Sequence, residues 1–389
     1  MSQQFSRAHK SVIYLLLVLL LLGIPAILWL RPHALALYHQ VRGGQLLAQV
    51  LAIASGDNPA AFACTLEPVM DDTARQQLLL AIEHLNRAVE YDPNLAQAFL
   101  LLGRAECLAM DFDAAVQAYT SYFSLRSGNI LGNLEIGFAY EAAGDLSTAI
   151  EYWLSDGLIA DHFLKTGKEA FDAKDYLAAL AWYQRAELTR SGWNRPWYQS
   201  SLTYQQMGKM DEAMKVMLDG IAQSQGSEGL SNMYYQIGWI RQYYLKPADT
   251  KGAWEAYEQA LSIRDFSYNP VHYAATIQNQ GFLLAGQGHY YEAIQKYEAA
   301  IDLYPSLYWA HLGLARAFWQ TGEHQKAKDA ANQAILLSPD PSEAYIALGD
   351  FSRAEGDLDQ ARQFYIQALD INPKSTNAQT AIEKLETTP

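Results

Sequence analysis

Half of the 389 residues are hydrophobic and 12% are aromatic, enough apolar side chain to bury large cores, which excludes a disordered chain. The net charge of −14 is unevenly placed: residues 1–45 hold four Lys/Arg and no acid, leaving 24 Lys/Arg against 42 Asp/Glu, a net of −18, in the rest. So acidic a body excludes a grip on phosphate backbones, and no nucleic-acid partner is expected; two cysteines exclude a disulfide-stapled scaffold and a spaced Cys/His metal cluster.

In chain order, a short basic tail, residues 1–10, precedes an uncharged run of twenty residues from Ser11 to Leu30. A helix rising 1.5 Å per residue needs about that many to cross a hydrocarbon core of roughly 30 Å, so 11–31 is predicted as a transmembrane helix. The rival reading is a cleaved secretory signal. Ala34-Leu35-Ala36 has the small-x-small form, but Arg31 and Pro32 separate it from the apolar core, and that core exceeds the usual roughly 7 to 15 residues. Basic residues tie across the run, Arg7 and Lys10 before it and Arg31 and Arg42 after it. The acid-free head decides for a cytoplasmic N-terminus, with everything after the span on the outer, periplasmic or extracellular, side of the plasma membrane.

Residues 32–58 read as a helical spacer in two pieces broken at Gly43-Gly44, either packed on the first repeat or lying on the bilayer or a neighbouring membrane subunit. Residues 59–95 form a degenerate unit or N-terminal cap, in which only Ala81, Leu85, Ala88 and Pro93 fit the repeat that organises the remainder. Cys64 and Cys107, 43 residues apart, would tie residues 59–71 onto the first clear repeat if bonded; the alternative is two buried thiols.

That repeat is clearest in two gapless blocks beginning at Tyr308 and Ser342, 34 residues apart. Small residues fall at position 8 (Ala315, Gly349), position 20 (Ala327, Ala361) and position 27 (Ala334, Ala368), and proline closes each block at position 32 (Pro339, Pro373). The block at Ala274 obeys the same rule with Gly281, Ala293, Ala300 and Pro305. Apolar positions 4, 7, 8 and 11 share one face of a first helix, and 20, 24 and 27 share one face of a second. Glycine near position 15 (Gly288, Gly322, Gly356) closes the first helix in a left-handed conformation. The same ruler finds units starting near Ala96, Ile130, Ala160, Asn194 and Ser231, eight in all over residues 96–373, with 374–389 as a polar-faced capping helix and tail.

The small, aromatic and proline positions resemble the tetratricopeptide repeat. That resemblance implies an all-α fold, a right-handed α-solenoid of about eight helical hairpins, here with one N-terminal transmembrane helix. Departures from the period fall at Ile130, whose unit is four residues short with Asp156 at a small apolar position, and at Ser231, whose unit is nine long in "LKPADTKG" and "IRDFSYNPVHY"; "SQGSEG" precedes it. The insertions are either tolerated loops or carriers of a function of their own.

No nucleophile elbow, zinc-protease, phosphate-loop or dinucleotide-binding motif is present, no cofactor or metal is expected, and His311, at position 4 of its unit, reads as a packed core side chain; enzyme activity is a distant third reading. Resemblance to the family places positions 2, 5, 9, 12 and 13 of each first helix on a concave groove. The residues assigned to partner binding are Tyr198, Gln205, Asn232, Tyr235, Trp239, Gln278, Phe282, Trp309 and Trp319, centred on the middle units. Aromatics and amides suit an apolar or extended protein segment, whereas the dispersed Arg104, Lys168, Arg195, Arg316 and Arg353 argue against a carboxylate clamp. The expected function is a membrane-anchored scaffold that binds a protein or peptide partner through its groove. The alternative is a constitutive accessory subunit of a larger membrane complex.

Overall fold

Glycine at position 8 of a repeat makes room for the large side chain at position 24. In the computed structural model, a Cβ placed on Gly103 would lie 2.8 Å from the Tyr119 ring, and Gly137, Gly167, Gly238 and Gly349 stand in the same relation to Trp153, Tyr183, Tyr257 and Tyr365. Each of these five rings is fully buried. Where position 8 is Ala315, position 24 is Ala331, also fully buried, so the pair keeps its helices close with two small residues in place of one small and one large.

The structure describes residues 31–55, 62–66, 70–126 and 130–387. Among these there is no strand. Helix α1 occupies residues 31–55 and α2 Asp72–Tyr91. Eight hairpins follow: α3 Ala96–Leu108 with α4 Phe112–Leu125, α5 Ile130–Ala142 with α6 Leu146–Leu154, α7 Leu158–Asp172 with α8 Tyr176–Thr189, and α9 Asn194–Gln206 with α10 Met210–Gln223. Then come α11 Leu230–Tyr243 with α12 Thr250–Ile263, α13 Val271–Gly286 with α14 Tyr290–Leu303, α15 Tyr308–Gln320 with α16 His324–Leu337, and α17 Ser342–Glu355 with α18 Leu358–Ile371; α19 is Thr376–Thr387. The described residues gather into two compact units that divide after Phe163, with Leu188–Arg190 belonging to the first and Leu164–Glu187 to the second.

Seven of the eight turns between paired helices solve the same problem in the same way. Position 15 is left-handed in seven hairpins: Gly144, Gly208, Gly288, Gly322 and Gly356 take it freely, while Met110 (φ 62°) and Lys174 (φ 65°) take it against the steric preference of a side chain. The next residue caps the second helix where it is aspartate, as Asp111 accepts from the Ala114 N–H at 3.1 Å and Asp357 from the Gln360 N–H at 2.9 Å. α6, in the unit that runs short, has nine residues against fourteen in the other second helices.

The predicted break at Gly43-Gly44 is absent, because α1 runs through both glycines. A Cβ on Gly43 would lie 2.8 Å from Leu85 Cγ and 3.1 Å from the Ala81 carbonyl oxygen, the contact that position-8 glycines make with position 24. Leu46, Leu47 and Val50 bury against Leu78, Ala81 and Leu85, so α1 supplies the first helix that the degenerate unit lacks. The transmembrane reading falls on residues 11–30, outside the described residues; among the described ones no helix is long and apolar enough to cross a membrane.

The two insertions fasten one another. Asp265 accepts from the Gly229 N–H (3.3 Å) and Ser227 Oγ (3.2 Å), and the Asn232 side chain donates to the Asn269 carbonyl (2.9 Å) while accepting from the Tyr268 N–H (3.2 Å). At the C-terminus, Ala378 and Leu385 of α19 cover Ile346, Ala361, Tyr365 and Ala368.

Candidate groove in the C-terminal unit

First helices α11, α13, α15 and α17 present their open faces side by side in the second unit and enclose a groove of about 1070 Å³. Its depth comes from small residues, Ala285, Gly286, Gly313, Ala317, Ala347 and Ala354, which leave space between larger walls. The walls are aromatic. Tyr243 of α11 meets Phe282 of α13 with ring centroids 5.8 Å apart, and Trp319 of α15 stacks on Phe351 of α17 at 4.3 Å, so ring pairs bridge successive repeats. Four rings remain open: Tyr243 43%, Tyr244 44%, Phe282 46% and Trp309 45% exposed. Large apolar rings left accessible in a concave site are the groups that gain most from being covered by a partner.

Of the assigned residues, Tyr235, Trp239, Gln278, Phe282, Trp309 and Trp319 line this groove. Tyr198, Gln205 and Asn232 do not. Tyr198 is buried among Met217, Met233 and Ile237 with its ring 5.2 Å from Tyr268, because the inserted loop folds back over it. Asn232 is fully buried since its amide holds that loop, and Gln205 is turned to Ser201 Oγ. Tyr235 stacks on His272 at 4.1 Å, which makes it part of the groove's floor, in contrast to the open rings. The groove is therefore displaced toward the C-terminus from the middle units. Tyr244, Tyr290, Phe351 and Asp350 join it without having been singled out; Phe351 and Asp350 stand at positions 10 and 9 of the last repeat, one of which the helix pattern already marked.

Beneath the aromatics runs an amide relay. Gln278 Nε2 donates to Asn279 Oδ1 (3.0 Å), Asn279 Nδ2 to the Tyr257 hydroxyl (3.0 Å), and that hydroxyl to Gln242 Oε1 (2.8 Å). Burial raises the Tyr235 hydroxyl above its ordinary range, so it stays a neutral hydrogen-bonding group. The charged residues at one end are paired: Arg316 donates to Glu343 (2.9 Å), and Arg353 lies 3.6 Å from Asp350. Both arginines having acidic partners leaves the site largely apolar. His311 is half-buried, with its ring bonded to the Pro305 carbonyl (2.9 Å), which corrects its assignment to the core. Among the described residues no group of three His, Cys, Asp or Glu is placed to hold a metal ion.

Family models described as tetratricopeptide repeat match residues 284–350, 322–385 and 195–223. Tetratricopeptide repeats are present in this chain. The matches fall on α13 to α19 and on α9 with α10. The Hsp70-Hsp90 organising protein of Plasmodium falciparum is 28% identical over 99 residues, covering 25% of this chain and 39% of its own length. The Protein CTR9 homolog of Arabidopsis thaliana is 24% identical over 198 residues, 48% of this chain and 18% of its own. The chain thus spans well under half the length of these curated relatives. Among solved structures, an APC/C hetero-tetramer Cut9-Hcn1 chain is 13% identical with a TM-score of 0.48, covering 82% of this chain and 65% of its own. PilW, a type IV pilus biogenesis factor, is 16% identical with a TM-score of 0.48, covering 58% of this chain and 100% of its own.

Proposed function

We propose that this chain is a membrane-anchored tetratricopeptide scaffold that captures an apolar segment of a protein partner in the α11–α17 groove, its N-terminus cytoplasmic and its repeats on the outer side of the plasma membrane. The observation that carries the reading is the set of open rings, Tyr243, Tyr244, Phe282 and Trp309, over a floor of small residues. Rigid aromatics bury large area at little entropic cost, and paired arginines leave an apolar partner as the better fit. Anchoring is supported by the uncharged run at 11–30 and by the acid-free stretch 1–45.

The test is affinity purification of the full chain in mild detergent with quantitative mass spectrometry, wild type against Phe282→Ala and Trp309→Ala. Each substitution should reduce one and the same co-purifying protein at least tenfold while the thermal unfolding of the chain is unchanged, since truncating a hot-spot ring costs about 2 kcal/mol or more of binding. Retention of every partner by both variants rejects the groove. Extraction of the chain from membranes by carbonate rejects the anchor.

A further inference from the structure

Phe138 of α5 and Phe282 of α13 occupy the same repeat position, 9, yet Phe282 is 46% exposed and Phe138 1%. Phe138 is covered by the chain itself. A short 3₁₀ turn, Ala63–Thr65, packs across α3 and α5, the first helices of two successive hairpins in the N-terminal unit. The Phe62 ring lies 4.9 Å from Phe138 and 5.8 Å from His162. Cys64 is joined by a disulfide to Cys107, at position 12 of its own repeat, with the two Cα atoms 4.6 Å apart, and Cys107 too is 1% exposed. The turn closes its own backbone hydrogen bonds, Thr65 N–H to the Phe62 carbonyl (2.9 Å) and Leu66 N–H to that of Ala63 (3.3 Å). It therefore asks of the helices an apolar seat and one covalent bond. An aromatic anchor, a compact apolar segment and the inner positions of two first helices are what a partner peptide would use in the other unit's groove.

We propose that residues 62–66 are a tethered stand-in for a ligand on the α3/α5 face, locked there by Cys64–Cys107, and that reduction opens this face to an apolar partner segment bearing an aromatic anchor. The step is a two-electron exchange: a dithiol attacks the disulfide, delivers two electrons and two protons to make the Cys64 and Cys107 thiols, and leaves as its own disulfide. The lock works by proximity. While the bond holds, the turn faces its seat at an effective concentration no free segment matches; once it is cut, a partner competes with a turn held only by its non-covalent contacts. This surface goes beyond the groove of the C-terminal unit and does not depend on it.

The test uses the full chain in detergent with Cys64→Ser, which leaves Cys107 as a lone thiol beneath the turn. Cys107 should be alkylated by N-ethylmaleimide within tenfold of its rate in denaturant, with the helical circular dichroism of the folded chain intact. A synthetic peptide copying residues 60–68 with Cys64→Ser should slow alkylation saturably, and the same peptide with Phe62→Ala should need at least tenfold higher concentration. In the wild-type chain the labelled peptide should bind only after a dithiol is added. The proposal is overturned if Cys107 stays protected without peptide, if it reacts only with loss of helical signal, which makes the turn structural, or if the peptide gives no protection.

Discussion

Gly349 and Tyr365 show how one residue pair sets the approach of two helices. A Cβ at 349 has the Tyr365 ring in its path, and that ring is fully buried between α17 and α18 with its hydroxyl donating to Asp350 at 2.8 Å. Gly349→Ala should cost about 1–3 kcal/mol, the usual penalty of overpacking, despite alanine's better helix propensity. In a Tyr365→Ala background the same change should cost close to nothing, since the chain already contains the small–small solution at Ala315 and Ala331. A double-mutant cycle by chemical denaturation measures the coupling, and additivity of the two changes would refute the packing account. Both members of the pair stand out in the sequence by their period, but the sequence does not say that they touch. Compensation between 315 and 331 is the sign that they do.

At the scale of elements, the hairpins were legible through their small and aromatic positions even where the 34-residue period slipped, at Ile130 and Ser231, and the reading failed at α1. α1 was missed as a partner for α2 because residues 56–71 separate them and because the paired glycines 43 and 44 carry the signature of a break; with Leu85 and Leu101 beside them they serve close packing instead. The groove was legible as helix positions and misplaced by about one repeat, since an inserted loop buries Tyr198 and Asn232, and insertion lengths say nothing of where a loop comes to rest. His272, at the start of α13, belongs to that loop: its ring lies between the amides of Asn232 (3.1 Å) and Asn269 (3.0 Å) and against Tyr235. Burial lowers its pKa to about 4 from the ordinary 6.5. A folded value below the unfolded one means that the unfolded chain takes up the proton first. His272 therefore contributes its full stability above pH 6.5 and loses it as pH falls toward 4, by at most about 1.4 kcal/mol per pH unit. The slope is read from urea midpoints at pH 7, 6, 5 and 4.5; in His272→Gln it should shrink by up to one proton, and an unchanged slope would clear the imidazole of the effect.

At the largest scale, within each compact unit stacked hairpins share faces with their neighbours, so stability is handed along the unit in nearest-neighbour steps. α19 ends the C-terminal unit by laying Ala378 and Leu385 on Ile346, Ala361, Tyr365 and Ala368, with Ala381 and Ile382 alongside. Removing residues 374–389 uncovers that face, and burying one Leu-sized side chain is worth about 1.5–3 kcal/mol, so the loss at the end of the stack is of that order. Local coupling makes this loss uneven. Amides of α17 and α18 should exchange with solvent deuterium ten- to a hundredfold faster in the truncated chain, those of α15 and α16 less so, and those of α11 and α12 at the original rate. Two features favour such a decay over an all-or-none response: the contacts between positions 8 and 24 lie within hairpins, and the interlocked insertions at 227–232 and 265–272 brace α11 against α13 independently of the C-terminal end. Hydrogen exchange that accelerates equally from α9 to α18 would show the unit to be a single cooperative block, and would place α19 among the residues on which the groove's existence depends.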